Sequence, residues 1–130
     1  MIFGIGTDIV EVDRIREFSN KFGEKFLNRI LLPTEQKYCL NYIDPAPYIA
    51  GRFAAKEAIA KAFGFGIGEK LSWHDMEIIR EETGKPNVQL HGKAKLLMDK
   101  IGSEKIQITL SHTNKHATAT AIIEAPNGKA

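Results

Sequence analysis

The strongest constraint on the fold is residues 47–63, PYIAGRFAAKEAIAKAF, which have the composition of one long helix. Alanine has the highest helix propensity of all residues, and the segment holds six alanines: Ala50, Ala54, Ala55, Ala58, Ala60 and Ala62. Gly64 follows them and is a typical C-terminal stop. Because so many side chains are small, neighbouring elements can pack closely against this helix.

Shorter elements are predicted on the N-terminal side of this helix. Residues 2–10 mix β-branched and aromatic residues with two glycines, which predicts a short strand. Residues 12–26 carry apolar side chains three and four positions apart, which predicts a helix broken around Gly23. A further helix is predicted from Pro33 to about Tyr42, with Thr34 as its N-cap.

The C-terminal half is predicted to contain two pairs of strands and a short helix. After the glycine-rich loop GFGIGEK, residues 73–82 and 87–90 are predicted to form a hairpin around the turn TGKP. A helix at 91–101 should end at Gly102, and strands at 105–111 and 117–124 should flank Thr113-Asn114-Lys115. The tail 125–130 is expected to be frayed.

This order of elements favours an α+β fold with a mostly antiparallel sheet over a doubly wound one. With 130 residues, 43% of them hydrophobic, we expect one domain over residues 1–130. The net charge of +2 is too small to indicate nucleic-acid binding. A signal peptide and a membrane span are not expected, and the single Cys39, predicted to be buried, fits a reducing cytoplasm.

Two acidic residues are candidates for chemistry. Asp8 lies in the first predicted strand, where a half-buried carboxylate needs a partner or a metal ion. The acids that follow it, Glu11 and Asp13, are explained by the favourable charge of a helix N-terminus. Glu57 lies in the alanine-rich helix, one turn before Lys61. Its charge could belong to a solvated face or to a site, and the spacing does not decide between them.

Other polar motifs are weaker indicators when taken alone. The glycines of GFGIG follow a helix, whereas a phosphate-binding loop precedes one. His112, in Ser111-His112-Thr113, could bind phosphate, transfer a proton or cap a turn. The four histidines and Cys39 lack the spacing of a zinc site.

One basic stripe is predicted on the first helix. Arg14, Lys21 and Lys25 are separated by seven and four positions and therefore share a face. The stripe could be a solvated surface or a docking face for an acidic partner helix.

Four blocks together resemble the acyl-carrier-protein synthase family, the small phosphopantetheinyl transferases. They are GIGTDIVEVDRI, RFAAKEAIAKAFG, TGKP and SHT, in this order along the chain. The resemblance implies a transferase of fatty acid biosynthesis, dependent on Mg²⁺. It would move 4′-phosphopantetheine from coenzyme A to a serine of apo acyl carrier protein and release adenosine 3′,5′-bisphosphate.

The resemblance also implies roles for individual residues. Asp8 and Glu57 would be the metal ligands. The chemistry of phosphoryl transfer, and not the resemblance, then suggests that Lys61 could steady the phosphates and that either Glu57 or a metal-bound water accepts the serine proton. The coenzyme A nucleotide would be bound by Arg52, Gly64, Gly66, Pro86, Ser111, His112 and Thr113. The carrier protein would be bound by Arg14, Lys21, Phe22, Lys25 and Phe26. Family members commonly have arginine at positions 21 and 25, and they form trimers that share active sites.

Two other functions use the same residues. A non-catalytic module could hold an acidic protein on the basic stripe, and its binding would depend on salt but not on Mg²⁺. A Mg²⁺-dependent hydrolase of nucleotide pyrophosphates could use the same acids with water as the nucleophile, and would consume coenzyme A without a carrier protein.

Overall fold

The computed structural model describes residues 1–103 and 105–126. Their architecture is α+β, and every strand pair among them is antiparallel. A three-stranded sheet has the order β1-β5-β4, and β2 and β3 form a separate hairpin. The strands are β1 (Ile2–Glu11), β2 (Met76–Arg80), β3 (Pro86–Leu90), β4 (Lys105–His112) and β5 (His116–Glu124). The helices are α1 (Val12–Phe22), α2 (Glu24–Ile30), α3 (Pro33–Cys39), α4 (Ala46–Phe63) and α5 (Gly92–Ile101).

Most predicted elements are confirmed. The alanine-rich helix α4 ends at Gly64, whose positive φ of 96° is the left-handed conformation expected of a C-terminal glycine. The first helix is interrupted at Gly23, as predicted, and continues beyond position 26 to Ile30. The predicted antiparallel sheet exists, and in it β1 pairs with β5.

Three local predictions are wrong. Thr34 is not the N-cap of α3, because Leu32 occupies that position and its amide donates to the Glu35 carboxylate at 2.8 Å. The segment Trp73–Asp75 is a short 3₁₀ helix and not the start of a strand, since the Asp75 carboxylate accepts a hydrogen bond from the Ser72 amide. In the tail, Ala125 is buried and its amide donates to the Met1 carbonyl at 2.8 Å. The remainder of that prediction, residues 127–130, lies outside the described residues.

Helix α4 packs directly on β1 because two glycines leave room for its backbone. A Cβ atom on Gly6 would stand 1.9 Å from the Ala58 carbonyl oxygen, and one on Gly4 would stand 1.9 Å from that of Ala62. Any larger residue at either position would therefore force the helix away from the strand. Since alternate residues of a strand point to the same side, Asp8 also faces α4.

A buried ion pair joins α4 to the elements on its other side. The Lys56 ammonium is inaccessible to solvent and donates to Glu35 Oε1 at 2.6 Å, and to the carbonyls of Ile30 and Trp73. Glu35 Oε2 accepts from the Ile78 amide at 2.9 Å. Burial lowers the pKa of Lys56, and the Glu35 carboxylate opposes this effect. This pair ties α2, α3, α4 and β2 together.

Cys39 is buried, as predicted, and burial raises the pKa of its thiol to about 11. Cys39 belongs to the hydrophobic core, which among the described residues is one continuous cluster of buried side chains. Most of this core comes from α4 and from the inner face of the three-stranded sheet. Among residues 1–103 and 105–126, no helix is both long and apolar enough to cross a bilayer.

The close contact between α4 and β1 can be tested with one methyl group. Gly6→Ala should lower the free energy of unfolding by about 3 kcal/mol, because the added Cβ meets a backbone carbonyl that no rotamer change can move. Chemical denaturation measures this difference. Gly68→Ala is the matched control, since nothing lies within 4 Å of its Cβ position. Equal stability of the two variants would contradict the packing described here.

Candidate active site

Asp8 and Glu57 face the same cavity, because β1 and α4 are in direct contact. We call it the acidic cavity, and it has a volume of about 360 Å³. Its walls come from β1, the start of α1, α4 and the start of β5, and its lining residues are Asp8, Ile9, Val10, Glu11, Arg14, Phe53, Glu57 and His116. The structure thus brings together the two acids that the sequence singled out, although they are far apart in the chain.

Lys61 holds the Asp8 carboxylate from one side. Its ammonium group donates to Asp8 Oδ1 at 3.0 Å and to the Thr7 carbonyl at 3.0 Å. The Asp8 side chain is mostly buried, whereas the Lys61 side chain is about half exposed. An ammonium group has three donors, so one N–H of Lys61 remains for a further acceptor.

Glu57 is in an environment that disfavours its ionised form. Burial raises the pKa of Glu57, the nearby Asp8 carboxylate raises it further, and Lys61 opposes both effects. A carboxylate that is partly buried beside another carboxylate is stabilised by a cation placed between them.

These two acids fit a hard divalent cation. Mg²⁺ prefers carboxylate oxygens and keeps several waters or substrate phosphates among its ligands, so one or two protein ligands are enough. In residues 1–103 and 105–126 no group of three or more His, Cys, Asp or Glu side chains could form a metal cage. The arrangement therefore suits Mg²⁺ brought in with a phosphate-bearing substrate better than it suits Zn²⁺, which takes three or four protein ligands.

A second surface combines the predicted partner-binding residues with aromatic rings. We call it the aromatic groove: it has a volume of about 480 Å³ and is lined by Phe18, Phe22, Lys25, Phe26, Arg29, Ile30, Phe53 and Trp73. Lys21 lies over the Phe22 ring at 5.4 Å, and Arg14 lies over the Phe18 ring at 5.7 Å. Phe53 lines both this groove and the acidic cavity, so the two sites are adjacent.

The residues predicted to bind the nucleotide are not among those that line the acidic cavity. Arg52 is buried against the Tyr38 ring, on a different face of α4 from Glu57. His112 packs edge-on against Tyr48, with ring centroids 5.1 Å apart. The others lie in three places: Gly64 and Gly66 after the end of α4, Pro86 at the start of β3, and Ser111 and Thr113 at the end of β4. Their nucleotide roles stay predictions.

Sequence reasoning missed His116 as a residue of the acidic cavity. It lies there because β1 and β5 pair antiparallel, with Glu11 opposite His116. Both strands were predicted, but their register was not, and only the register places His116 opposite Glu11 in the wall of this cavity.

Comparison with known proteins gives one consistent family. The family model of the 4′-phosphopantetheinyl transferase superfamily matches residues 4–121. Holo-[acyl-carrier-protein] synthase of Natranaerobius thermophilus is 46% identical over 123 residues, which cover 95% of this chain and 98% of that protein. The enzyme of the same name from Chlamydia pneumoniae is 49% identical over 121 residues, which cover 93% of this chain and 96% of its relative.

Solved structures agree with this comparison. The crystal structure of holo-[acyl-carrier-protein] synthase from Neisseria meningitidis has a TM-score of 0.88 and 36% identity, and covers 95% of this chain and 99% of its own. The Helicobacter pylori enzyme, in complex with coenzyme A, has a TM-score of 0.83 and 35% identity, and covers 92% of this chain and 99% of its own. The predicted α+β fold and the stated resemblance are both confirmed.

Because its surroundings disfavour the ionised form of Glu57, we expect Glu57→Gln to be more stable than the parent protein at high pH. Because the folded chain binds the Glu57 proton more tightly than the unfolded chain, ionised Glu57 favours unfolding above its folded-state pKa. In chelator, the variant should therefore have a higher Tm than the parent near pH 8, and the difference should vanish near pH 4. Asp99→Asn, on the exposed end of α5, is the control and should show no such gain. A lower Tm for Glu57→Gln near pH 8 would contradict this description of the cavity.

Proposed function

Because this chain belongs to the 4′-phosphopantetheinyl transferase superfamily, we propose that Asp8 and Glu57 form the metal-binding centre of its active site. The chain is an enzyme that transfers the 4′-phosphopantetheine group from coenzyme A to apo acyl carrier protein. A new ester bond forms between the carrier serine oxygen and the β-phosphorus of coenzyme A. The pyrophosphate bond breaks, and adenosine 3′,5′-bisphosphate leaves.

The two carboxylates would hold Mg²⁺ between β1 and α4. When bound, the ion supplies charge neutralisation for the pyrophosphate that reacts. Glu57 and Asp8 repel each other, so the cavity is prepared for a cation before substrate arrives. Lys61 keeps the Asp8 carboxylate in place, and its free N–H can donate to a phosphate oxygen of the substrate. The paired carboxylates, set by the packing of α4 on β1, are the observation that carries this proposal.

Isosteric changes at the two acids test the metal centre. Asp8→Asn and Glu57→Gln should each lower the rate of transfer at least a hundredfold at fixed Mg²⁺, since each removes a negative ligand. The mass gain of apo acyl carrier protein, measured by intact mass spectrometry with coenzyme A, gives the rate. Asp99→Asn, an exposed acid on α5, is the matched control and should keep the parent rate.

Two results would contradict this assignment. Retained transfer in either folded variant would remove that residue from the metal centre. Consumption of coenzyme A in the absence of a carrier protein, with no transfer when it is present, would favour a nucleotide pyrophosphate hydrolase.

The aromatic groove and its basic rim fit the docking surface for the carrier protein. Lys25, Phe22 and Phe26 line the groove, while Arg14 and Lys21 lie beside it over phenylalanine rings. Positive charges at a rim raise the rate of association with an acidic partner, and a buried aromatic centre supplies affinity. Since Phe53 is shared with the acidic cavity, a carrier bound here would have its serine close to Asp8 and Glu57.

Charge reversal on this rim should separate the two substrates. Lys21→Glu combined with Lys25→Glu should raise the KM for apo acyl carrier protein at least tenfold and leave the KM for coenzyme A unchanged. Steady-state kinetics with each substrate varied in turn measure both constants. The control is Lys95→Glu with Lys100→Glu, which makes the same change in net charge on α5. An equal rise in both KM values would remove the docking role from α1 and α2.

The outer face of the three-stranded sheet supports a trimer. Ile5 and Ile9 of β1 point away from α4 and are 60% and 67% exposed. Their neighbours across β5 are Ile122 and Thr118, which gives a face of isoleucine and threonine side chains. We propose that this face is covered by further copies of the chain, as the family resemblance implies. We also propose a cytoplasmic location, which suits a single buried thiol.

A further inference from the structure

Another cavity lies between α5 and the loop that follows α4. Its volume is about 370 Å³, within the range of about 300–1,000 Å³ that is usual for small-molecule sites. We call it the lysine-rimmed pocket, because three apolar and three basic side chains line it and no acidic one does: Phe65, Lys70, Lys93, Leu96, Leu97 and Lys100. None of these residues lines the acidic cavity or the aromatic groove, so the pocket is a separate feature of the surface.

One face of α5 forms a wall of this pocket that is apolar at its centre and basic at its ends. Its residues lie at offsets of three, four and seven from the first, and therefore share a face: Lys93, Leu96, Leu97 and Lys100. The buried residues of the helix are others, Ala94 and Met98. Leu96 is 67% exposed, so the core does not account for its apolar side chain. An apolar ligand in the pocket would remove it from water.

The loop after α4 supplies an aromatic wall and a second cation. Phe65 is half-buried, and its amide donates to the Ala60 carbonyl at 3.0 Å, which fixes the start of the loop to the end of the helix. The ammonium group of Lys70 lies over the Phe65 ring, 4.6 Å from its centre. From the other side, the ammonium group of Lys93 donates to the Glu69 carbonyl at 2.7 Å. Two N–H donors of Lys93 remain for a ligand.

The positive charge of this pocket is not balanced by acidic side chains. Within residues 1–103 and 105–126, no carboxylate lies within 4 Å of the ammonium group of Lys70 or Lys93. Asp99 of α5 does not line the pocket and contacts Lys95, which lies on another face of the helix. Charge complementarity therefore favours an anion, and the apolar walls favour a hydrocarbon chain attached to it.

We infer that the lysine-rimmed pocket binds a single-chain anionic amphiphile, of the class of a medium-chain fatty acid. The carboxylate accepts hydrogen bonds from Lys70 and Lys93, and the chain lies against Phe65, Leu96 and Leu97. This inference goes beyond the proposed function, which uses none of these residues. The ligand would contact the loop that directly follows α4, the helix that carries Glu57 and Lys61.

An NMR titration of the ¹⁵N-labelled protein with octanoate tests the inference. The backbone amide signals of residues 65–70 and 92–101 should shift together and reach saturation, and the titration curve gives the Kd. Octan-1-ol keeps the chain without the charge and should bind more weakly than octanoate. Butyrate keeps the charge with a shorter chain and should bind more weakly still, because less apolar surface is buried. The titration contains neither carrier protein nor Mg²⁺, so its result is independent of the proposed transfer.

Two single substitutions separate the apolar and the charged contacts. Leu96→Gln should raise the Kd for octanoate roughly tenfold, because an apolar contact is lost. Lys70→Gln should raise it roughly threefold, since an ion pair open to solvent contributes less. Both side chains are exposed, so the fold should tolerate either change. Lys95→Gln is the matched control: it removes the same charge from another face of α5 and should keep the parent Kd.

Four results would overturn the inference. The first is the absence of saturable shifts with octanoate, and the second is an unchanged Kd in Leu96→Gln. The third is displacement of octanoate by saturating coenzyme A, which would assign the pocket to the substrate. The fourth is binding to phosphatidylglycerol vesicles without binding to octanoate, which would make this face of α5 a membrane contact.

Discussion

The close approach of α4 to β1 is the constraint on which the rest of the structure depends. Gly4 and Gly6 present no side chain to the helix, and carbonyl oxygens of α4 occupy the space where Cβ atoms would be. This contact decides how far Asp8 stands from Glu57, because each acid is attached to one of the two elements. It also brings Lys61 within 3.0 Å of Asp8. The geometry of the candidate active site is therefore a direct result of backbone packing.

The second support of α4 is the buried pair of Lys56 and Glu35. A buried ion pair adds little net stability compared with a pair of well-packed apolar side chains, but its hydrogen bonds have defined directions. Here the lysine reaches the last residue of α2 and the 3₁₀ helix, while the glutamate reaches α3 and β2. The helix is thus fixed on one side by steric contact with β1 and on the other by polar contacts. With α4 fixed on both sides, two carboxylates can be kept close in spite of their repulsion.

Much of the fold could be predicted from the sequence, because helix propensity, apolar spacing and turn residues are local properties. The alanine-rich helix, the break at Gly23 and the antiparallel strands were all found in this way. The four charges of α4 could not be assigned, since spacing cannot distinguish a buried charge from an exposed one. Lys56 is buried because its partner Glu35 stands 21 residues away in the chain, and that contact exists only in the fold.

The candidate site could be predicted only in part, because some of its residues come together only in the fold. Asp8 and Glu57 were identified by their surroundings and by the family resemblance, and the structure places them in one cavity. The position of His116 depended on strand register, and the approach of Arg52 and Arg80 to the Tyr38 ring depended on the packing of β2 near α3. Residues brought together by tertiary structure leave no local pattern for sequence analysis to detect.

We propose that the packing of α4 on β1 places a metal site between Asp8 and Glu57. The most direct measurement is a crystal structure of the protein with coenzyme A and Mn²⁺, a substitute for Mg²⁺ with a strong anomalous signal. We expect one anomalous peak at coordination distance from carboxylate oxygens of both residues and from the pyrophosphate. A peak that contacts only one of the two acids, or that lies outside this cavity, would contradict it.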